Sequence, residues 1–167
     1  MSHKTNEGAL RCVKLLSLDV DGVLTDGGIY YADDGNTYRK FNAKDGMGMV
    51  RLMNAGIQTC IISAGAPGSI EHRANRLGIR HVFTDVHDKL SVLRKLCGDL
   101  GIGMHEVAHV GDDVNDLAIM EQVGLSITVA DAVDDVLDVA DIVTKRNGGA
   151  GAVREICDAI IQLQATQ

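Results

Sequence analysis

Apolar residues along this chain gather in short unbroken runs separated by amphipathic stretches, and that alternation predicts most of the secondary structure. The runs at 13–18, 58–62, 81–83, 107–110, 125–129 and 142–143 are short and mainly apolar, and they read as buried strands. Helical spacing fills the gaps. Met47, Val50 and Met53 define one helix, with Asp45 as its expected cap and Gly56 as its end. Pro67 suits the first position of a second, which runs through Ile70, Ala74 and Leu77 to Gly78. Leu90, Leu93, Leu96 and Leu100 line a third, closed by Gly101, and residues 117–123 give a fourth. Val133, Val136 and Leu137 suggest a short fifth, and residues 152–163 a final amphipathic one.

Strands that are apolar on both faces and alternate with helices predict an α/β fold: a Rossmann-like doubly wound parallel sheet with helices on either side. One feature interrupts it after the first strand. Residues 29–31 and 38–41 flank Asp33, Asp34, Gly35 and Asn36, a hairpin signal because Asp and Gly tolerate the positive φ of a tight turn. Residues 1–11 are polar and read as a flexible N-terminus, which leaves 12–167 as a single domain without a cap domain.

Charge and composition narrow the partners. A net charge of −7, with no basic stripe interleaved with aromatics, argues against a nucleic-acid partner. No long apolar segment argues for a membrane partner, and residues 1–11 lack the apolar core of a signal peptide, so the expected setting is cytoplasmic. Cys12, Cys60, Cys97 and Cys157 lack paired ligand spacing and read as inert thiols rather than disulfides or zinc ligands. Met47, Met49, Met53 and Met120 read as core filler, and His72, His81, His87, His105 and His109 show no convergent spacing.

Parallel sheets place ligands beyond the carboxyl ends of their strands, so chemistry is expected after residues 18, 62, 83 and 110. Asp19 and Asp21 bracket one residue directly after the first strand; Ser63 follows the second. Lys89 begins the helix after the third, and Asp112, Asp113, Asn115 and Asp116 follow the fourth. One carboxylate can attack phosphorus while its neighbour protonates the leaving oxygen. Converging carboxylates repel unless a cation neutralises them, and a hard, oxygen-ligated ion fits, which means Mg2+ rather than zinc. The Ser63 hydroxyl with nearby backbone amides, Ala64 among them, and the Lys89 ammonium would receive the phosphoryl group.

These four segments resemble the four motifs of the haloacid dehalogenase phosphohydrolases, over residues 15–116. Residues 21–27, 41–46 and 148–155 further resemble the 3-deoxy-D-manno-octulosonate 8-phosphate (KDO 8-phosphate) phosphatase family, and this likeness spans nearly the whole chain. The resemblance implies a magnesium-dependent phosphomonoesterase with Asp19 as nucleophile and Asp21 as acid and base. It implies that Asp19, the backbone carbonyl of Asp21, and Asp112 hold Mg2+. Ser63 and Lys89 would bind phosphate, with Asp113, Asn115 and Asp116 as auxiliaries. Asp45, Gly149, Gly151 and Arg154 are expected to contact the substrate.

The sequence departs from the family at one place: Ser63, Ala64 and Gly65 stand where Thr-Gly-Arg is usual. The hydroxyl is kept, but the guanidinium fork is lost. A sialic-acid-like 9-phosphate (of KDN or an N-acylneuraminate) therefore stands as an alternative substrate. Two other classes of protein use similar residues. A receiver domain would carry an aspartate where this chain has Ser63. A catalytically silent module, like the related domain fused to animal cytidylate-sialate synthetases, is disfavoured by Asp19, Asp21 and Asp112 all being present. Without a cap domain something else must cover the mouth. Tyr30, Tyr31, Tyr38 and Phe41, four of the chain's five aromatics, cluster on the hairpin, which predicts a homo-oligomer, with a tetramer implied by the resemblance.

Overall fold

The computed structural model describes residues 3–166. Its centre is a six-stranded, all-parallel sheet in the order β5-β4-β1-β6-β7-β8. The strands are β1 (Leu15–Leu18), β4 (Gln58–Ile62), β5 (His81–Phe83), β6 (Val107–Val110), β7 (Leu125–Thr128) and β8 (Ile142–Val143). The chain runs outward from β1 through β4 to β5, then returns to the other side of β1 and continues through β6, β7 and β8. That reversal puts the topological switch beside β1.

The sheet is covered on both faces, and the two-residue period of a strand decides which residue faces which layer. Leu16, Leu18, Ile61, Ala108 and Val110 join one core, together with Leu10, Met49, Leu52, Ile70, Val153 and Ile156. Those partners come from α1 (His3–Cys12), α2 (Ala43–Asn54), α3 (Ser69–Leu77) and α7 (Ala152–Gln164). Leu15, Cys60, Ile62 and Val107 face the other way, onto Leu93, Leu96 and Ile119. Those belong to α4 (Lys89–Leu100) and α5 (Leu117–Met120). A short α6 (Asp134–Leu137) buries Val136 in the first core.

The hairpin forms as a separate two-stranded ribbon, β2 (Tyr30–Tyr31) and β3 (Thr37–Tyr38), shorter than its sequence signal. Asp34 closes its turn by accepting from the Asn36 N–H at 3.0 Å. Tyr30, Tyr31 and Tyr38 are 60%, 77% and 57% exposed, whereas Phe41 packs on the domain's own core.

The expectations for the N-terminus, for the start of α3 and for the segment after β6 are corrected. The supposedly flexible N-terminus carries α1, because Leu10 is buried and Arg11 donates to the Leu163 carbonyl at 2.7 Å; Met1 and Ser2 lie outside the described residues. Helix α3 starts at Ser69 rather than Pro67, since Gly68 adopts φ 69° and breaks the helical path. After β6 the expected single helix 117–123 is a 3-10 turn, Val114–Asp116, followed by the four residues of α5. All four cysteines are unpaired, and burial pushes the Cys60 and Cys157 thiols up to about 12, so both are inert. No helix among the described residues is long and apolar enough to cross a membrane.

Asp45 is not the cap of its own helix. Asn42 fills that place, accepting from the Lys44 N–H at 2.8 Å. Asp45 lies in the first turn of α2, only 1% exposed, and its carboxylate caps a different helix by accepting from the N–H groups of Gly151 (3.3 Å) and Arg154 (2.8 Å) at the start of α7. Burial raises its pKa against those two hydrogen bonds. Replacing it leaves both donors unmet inside the protein. Asp45→Ala is therefore expected to lower the unfolding free energy by about 1–3 kcal/mol, read as a lower urea midpoint at unchanged slope. Wild-type stability in that variant would count against the α2–α7 joint.

Candidate active site

Three neighbouring strands, β4, β1 and β6, end side by side. Each delivers one polar residue to the same mouth. Asp19 continues β1, with its N–H donating to the Val110 carbonyl at 3.0 Å. Ser63 continues β4, its N–H bonded to the Phe83 carbonyl at 2.9 Å, and Asp112 follows Gly111 after β6. With Asp21, Ala64, Gly65, Asp113 and Asn115 they line a cavity of about 150 Å³. Gly22 makes the sharp turn after Asp21 possible. Its φ is 90°, and a Cβ there would lie 1.8 Å from Asp112 Oδ2. Only glycine lets the two acidic loops approach this closely. Thr25 braces the turn, its Oγ1 accepting from Gly22 (3.3 Å) and Gly27 (3.2 Å).

Beneath this mouth, on the sheet face covered by α4 and α5, lies a buried polar chain. Lys89, at the first position of α4, places Nζ 3.0 Å from Asp19 Oδ2 and 2.7 Å from Asp116 Oδ1. His109 Nε2 lies 3.2 Å from the same Asp116 oxygen, and its Nδ1 lies 3.0 Å from Ser17 Oγ. The parallel register pairs Ser17 with His109, so both point to one face. Asp116 Oδ2 accepts from the Asp112 N–H at 3.3 Å. Burial alone would lift Asp116, but the His109 and Lys89 contacts outweigh it and hold its carboxyl at about 2. Lys89 is raised in turn: burial opposes its charge, and the attraction of Asp19 and Asp116 prevails.

The other two acids are poorly satisfied. Burial, then repulsion from Asp116, raises Asp19 to about 6 despite Lys89. Burial, then the charges of Asp19, Asp116 and Asp113, raises Asp112 to about 7. Asp112 Oδ1 is buried without a hydrogen-bond partner. Oxygens of Asp19, Asp112 and Asp116 lie within 4.8 Å of one another. Because Asp116 already serves Lys89, His109 and the Asp112 amide, Asp19 and Asp112 are the carboxylates with capacity to spare. An all-oxygen cluster with an orphaned carboxylate oxygen fits a hard divalent cation such as Mg2+. The Asp21 side chain is engaged elsewhere, by Arg39 at 2.7 and 3.0 Å, which leaves its backbone carbonyl as the atom it could offer.

Ser63, Ala64, Asp113 and Asn115 line the mouth as expected, and Asp116 and Lys89 sit just below it. Asp113 also accepts from the Val114 N–H, at 2.7 Å. The four residues expected to touch substrate are not brought there. Asp45, Gly151 and Arg154 form the α2–α7 joint, and Gly149 packs against the backbone of Thr25 and Asp26, its carbonyl accepting from Asn42 at 3.1 Å. Gly149 thereby packs on the turn that follows Asp21. Two residues escaped the sequence reading. His109 shows no ligand spacing, yet a histidine inside an apolar strand beside a strand carrying Ser17 is a signal of a buried polar contact. Arg39 gave none, being one of several charged residues near a hairpin.

The raised carboxyls carry a pH signature. In the absence of a cation, folding favours the protonated forms of Asp19 and Asp112. The stability this supplies is complete below their ordinary value of 3.8 and is lost as pH rises through about 6 and about 7. Asp116 acts in the opposite sense, stabilising above 3.8 and losing that contribution as pH falls toward about 2. Calorimetry in chelator is expected to give a higher melting temperature at pH 5 than at pH 8. The increment from magnesium is expected to be larger at pH 8, and an equal increment at both would contradict this account.

Known proteins resemble this chain over most of its length. A family model for haloacid dehalogenase-like hydrolases matches residues 73–156. The 3-deoxy-D-manno-octulosonate 8-phosphate phosphatase of Yersinia pestis is 43% identical over 91% of this chain and 81% of its own length. That of Escherichia coli K12 is 42% identical over the same shares. The crystal structure of the Yersinia pestis phosphatase superposes with a TM-score of 0.95 at 40% identity, covering 96% of this chain and 87% of that one. The Moraxella catarrhalis enzyme, solved in complex with magnesium, phosphate and KDO, gives a TM-score of 0.96 at 34% identity over 99% of this chain and 95% of that one. On this similarity the chain belongs to the 3-deoxy-D-manno-octulosonate 8-phosphate phosphatase family of haloacid dehalogenase-like hydrolases.

Proposed function

We propose that the protein hydrolyses the phosphate ester of 3-deoxy-D-manno-octulosonate 8-phosphate, with Asp19 as nucleophile and Asp21 as acid and base. One observation carries the reading: Lys89 ties the buried Asp19 carboxylate into a cavity that it shares with Asp21, Ser63 and Asp112. The named relatives act on that ester.

In the first half-reaction Asp19 Oδ attacks phosphorus, the bond from phosphorus to the sugar oxygen breaks, and Asp21 delivers a proton to that oxygen. In the second, water attacks the phospho-aspartate and gives its proton to Asp21. The acyl phosphate bond breaks, and inorganic phosphate leaves. The Ser63 hydroxyl and the amides around Ala64 donate to phosphoryl oxygens, and the Lys89 ammonium offsets negative charge beside Asp19. Asp113 and Asn115 border the mouth as auxiliaries. Magnesium, held by Asp19, Asp112 and the Asp21 carbonyl, would polarise the phosphoryl group.

The exposed tyrosines of the ribbon support a homo-oligomer, which we take to be a tetramer. With three of the four thiols buried, a cytoplasmic setting is the natural one.

Released phosphate tests the chemistry. Asp19→Asn is expected to abolish turnover, and Asp21→Asn to lower it about 10²–10⁴-fold. Near-normal turnover in Asp19→Asn would end the phospho-aspartate reading. Nine-carbon keto-acid 9-phosphates in the same assay decide the substrate, with the eight-carbon ester expected to give the higher kcat/KM. For assembly, light scattering is expected to give four times the chain mass in the wild type and a smaller mass, with less activity, when Tyr30 and Tyr38 become serine. A fully active monomer would overturn that reading.

A further inference from the structure

The hairpin sends one side chain into the active site. Arg39 follows β3, and its guanidinium grips the Asp21 carboxylate with Nε on Oδ1 at 2.7 Å and Nη2 on Oδ2 at 3.0 Å. The same guanidinium donates through Nη1 to Ser69 Oγ at 3.2 Å, at the start of α3. The Arg39 side chain is 4% exposed, against 24% for that of Asp21. A bidentate, charge-assisted pair shielded in this way fixes the plane of the carboxylate. Each carboxylate oxygen has roughly two lone-pair sites, so Asp21 keeps one per oxygen free to exchange a proton. Next in sequence, Lys40 holds Asp26 at 2.5 Å, pinning the hairpin exit to the other end of the 21–26 turn.

Gly65 completes the arrangement. Its φ is not among the positive values, so the backbone there does not demand glycine. Space does. A Cβ at position 65 would lie 2.8 Å from Arg39 Nη2, 3.1 Å from Asp21 Oδ2 and 3.1 Å from Ile70 Cδ1. The arginine can give way only by lengthening its bonds to Asp21 and Ser69. A side chain at 65 and the Arg39–Asp21 pair compete for one volume.

We propose that Arg39 is the positioning residue for Asp21, and that Gly65 lacks a side chain in order to admit its guanidinium. This rests on Asp21 being the acid and base. The hairpin then sets the acid–base geometry, and the arginine enters this site from position 39 rather than position 65.

The test is a set of double-mutant cycles on the full chain with magnesium, using 3-deoxy-D-manno-octulosonate 8-phosphate. Arg39→Ala is expected to lower kcat about 10- to 100-fold, the scale of a misplaced catalytic group, with KM little changed. Arg39→Lys, which keeps the charge but not the fork, is expected to recover part of that loss. On an Asp21→Asn background Arg39→Ala is expected to cost nothing further. Gly65→Ala is expected to lower kcat in the wild type and to be silent once Arg39 is alanine. Losses that multiply in either cycle, or a fall in kcat matched by loss of folded protein in calorimetry, would overturn the proposal while leaving the Asp21 assignment intact. Normal turnover in Asp21→Asn alone would overturn the acid–base assignment and this proposal with it.

Discussion

The arrangement depends on repulsion among carboxylates crowded at the end of a buried sheet. Asp19, Asp112 and Asp116 bring oxygens within 4.8 Å of each other where water has little access. Such a cluster survives only with cations threaded through it. Lys89 is the one the chain supplies from beneath, touching Asp19 and Asp116 together. His109 and the Asp112 amide then satisfy Asp116, so the deepest acid is the best compensated. What remains is an unbalanced pair, Asp19 and Asp112, and an orphaned oxygen on Asp112. The shortage of protein cations at that point is what makes the site a place for a divalent ion.

The fold holds this tension because the residues sit at the ends of its central strands. The acids and Ser63 leave three adjacent strands at the centre of the sheet, where backbone hydrogen bonds and two apolar cores restrict movement. The adjoining loops are held by local devices: Thr25 braces the first acidic turn, and Asp45 caps α7 from inside α2. Buried polar groups away from the mouth thus preserve the backbone that shapes it.

The hairpin is the complement of that rigid centre. Its strands are two residues long and its tyrosines face solvent, so the ribbon has little core of its own. Its attachment is electrostatic, through Arg39 to Asp21 and Lys40 to Asp26. A small element with an open face and a buried arginine on Asp21 joins the surface of the molecule to the cavity.

The sequence by itself determined the strand-and-helix order, the strand ends and the acids placed there. These follow from short apolar runs, from helical spacing of 3.6 residues and from the rule that parallel sheets bind ligands at their carboxyl ends. Asp19, Asp21, Ser63, Lys89 and Asp112 were legible because each is local to a strand end or the loop that follows it. Tertiary structure alone decided the rest. Asp45 reads locally as a helix cap, and only the packing of α2 on α7 turns it toward another helix. Leu10 identifies α1 as part of the core only once α7 lies beside it. His109 acquires a role from the register that sets it against Ser17, and Arg39 from a hairpin that returns 18 residues later to Asp21. Local patterns record what a residue prefers; which distant partner satisfies a buried charge is fixed only when the chain closes on itself.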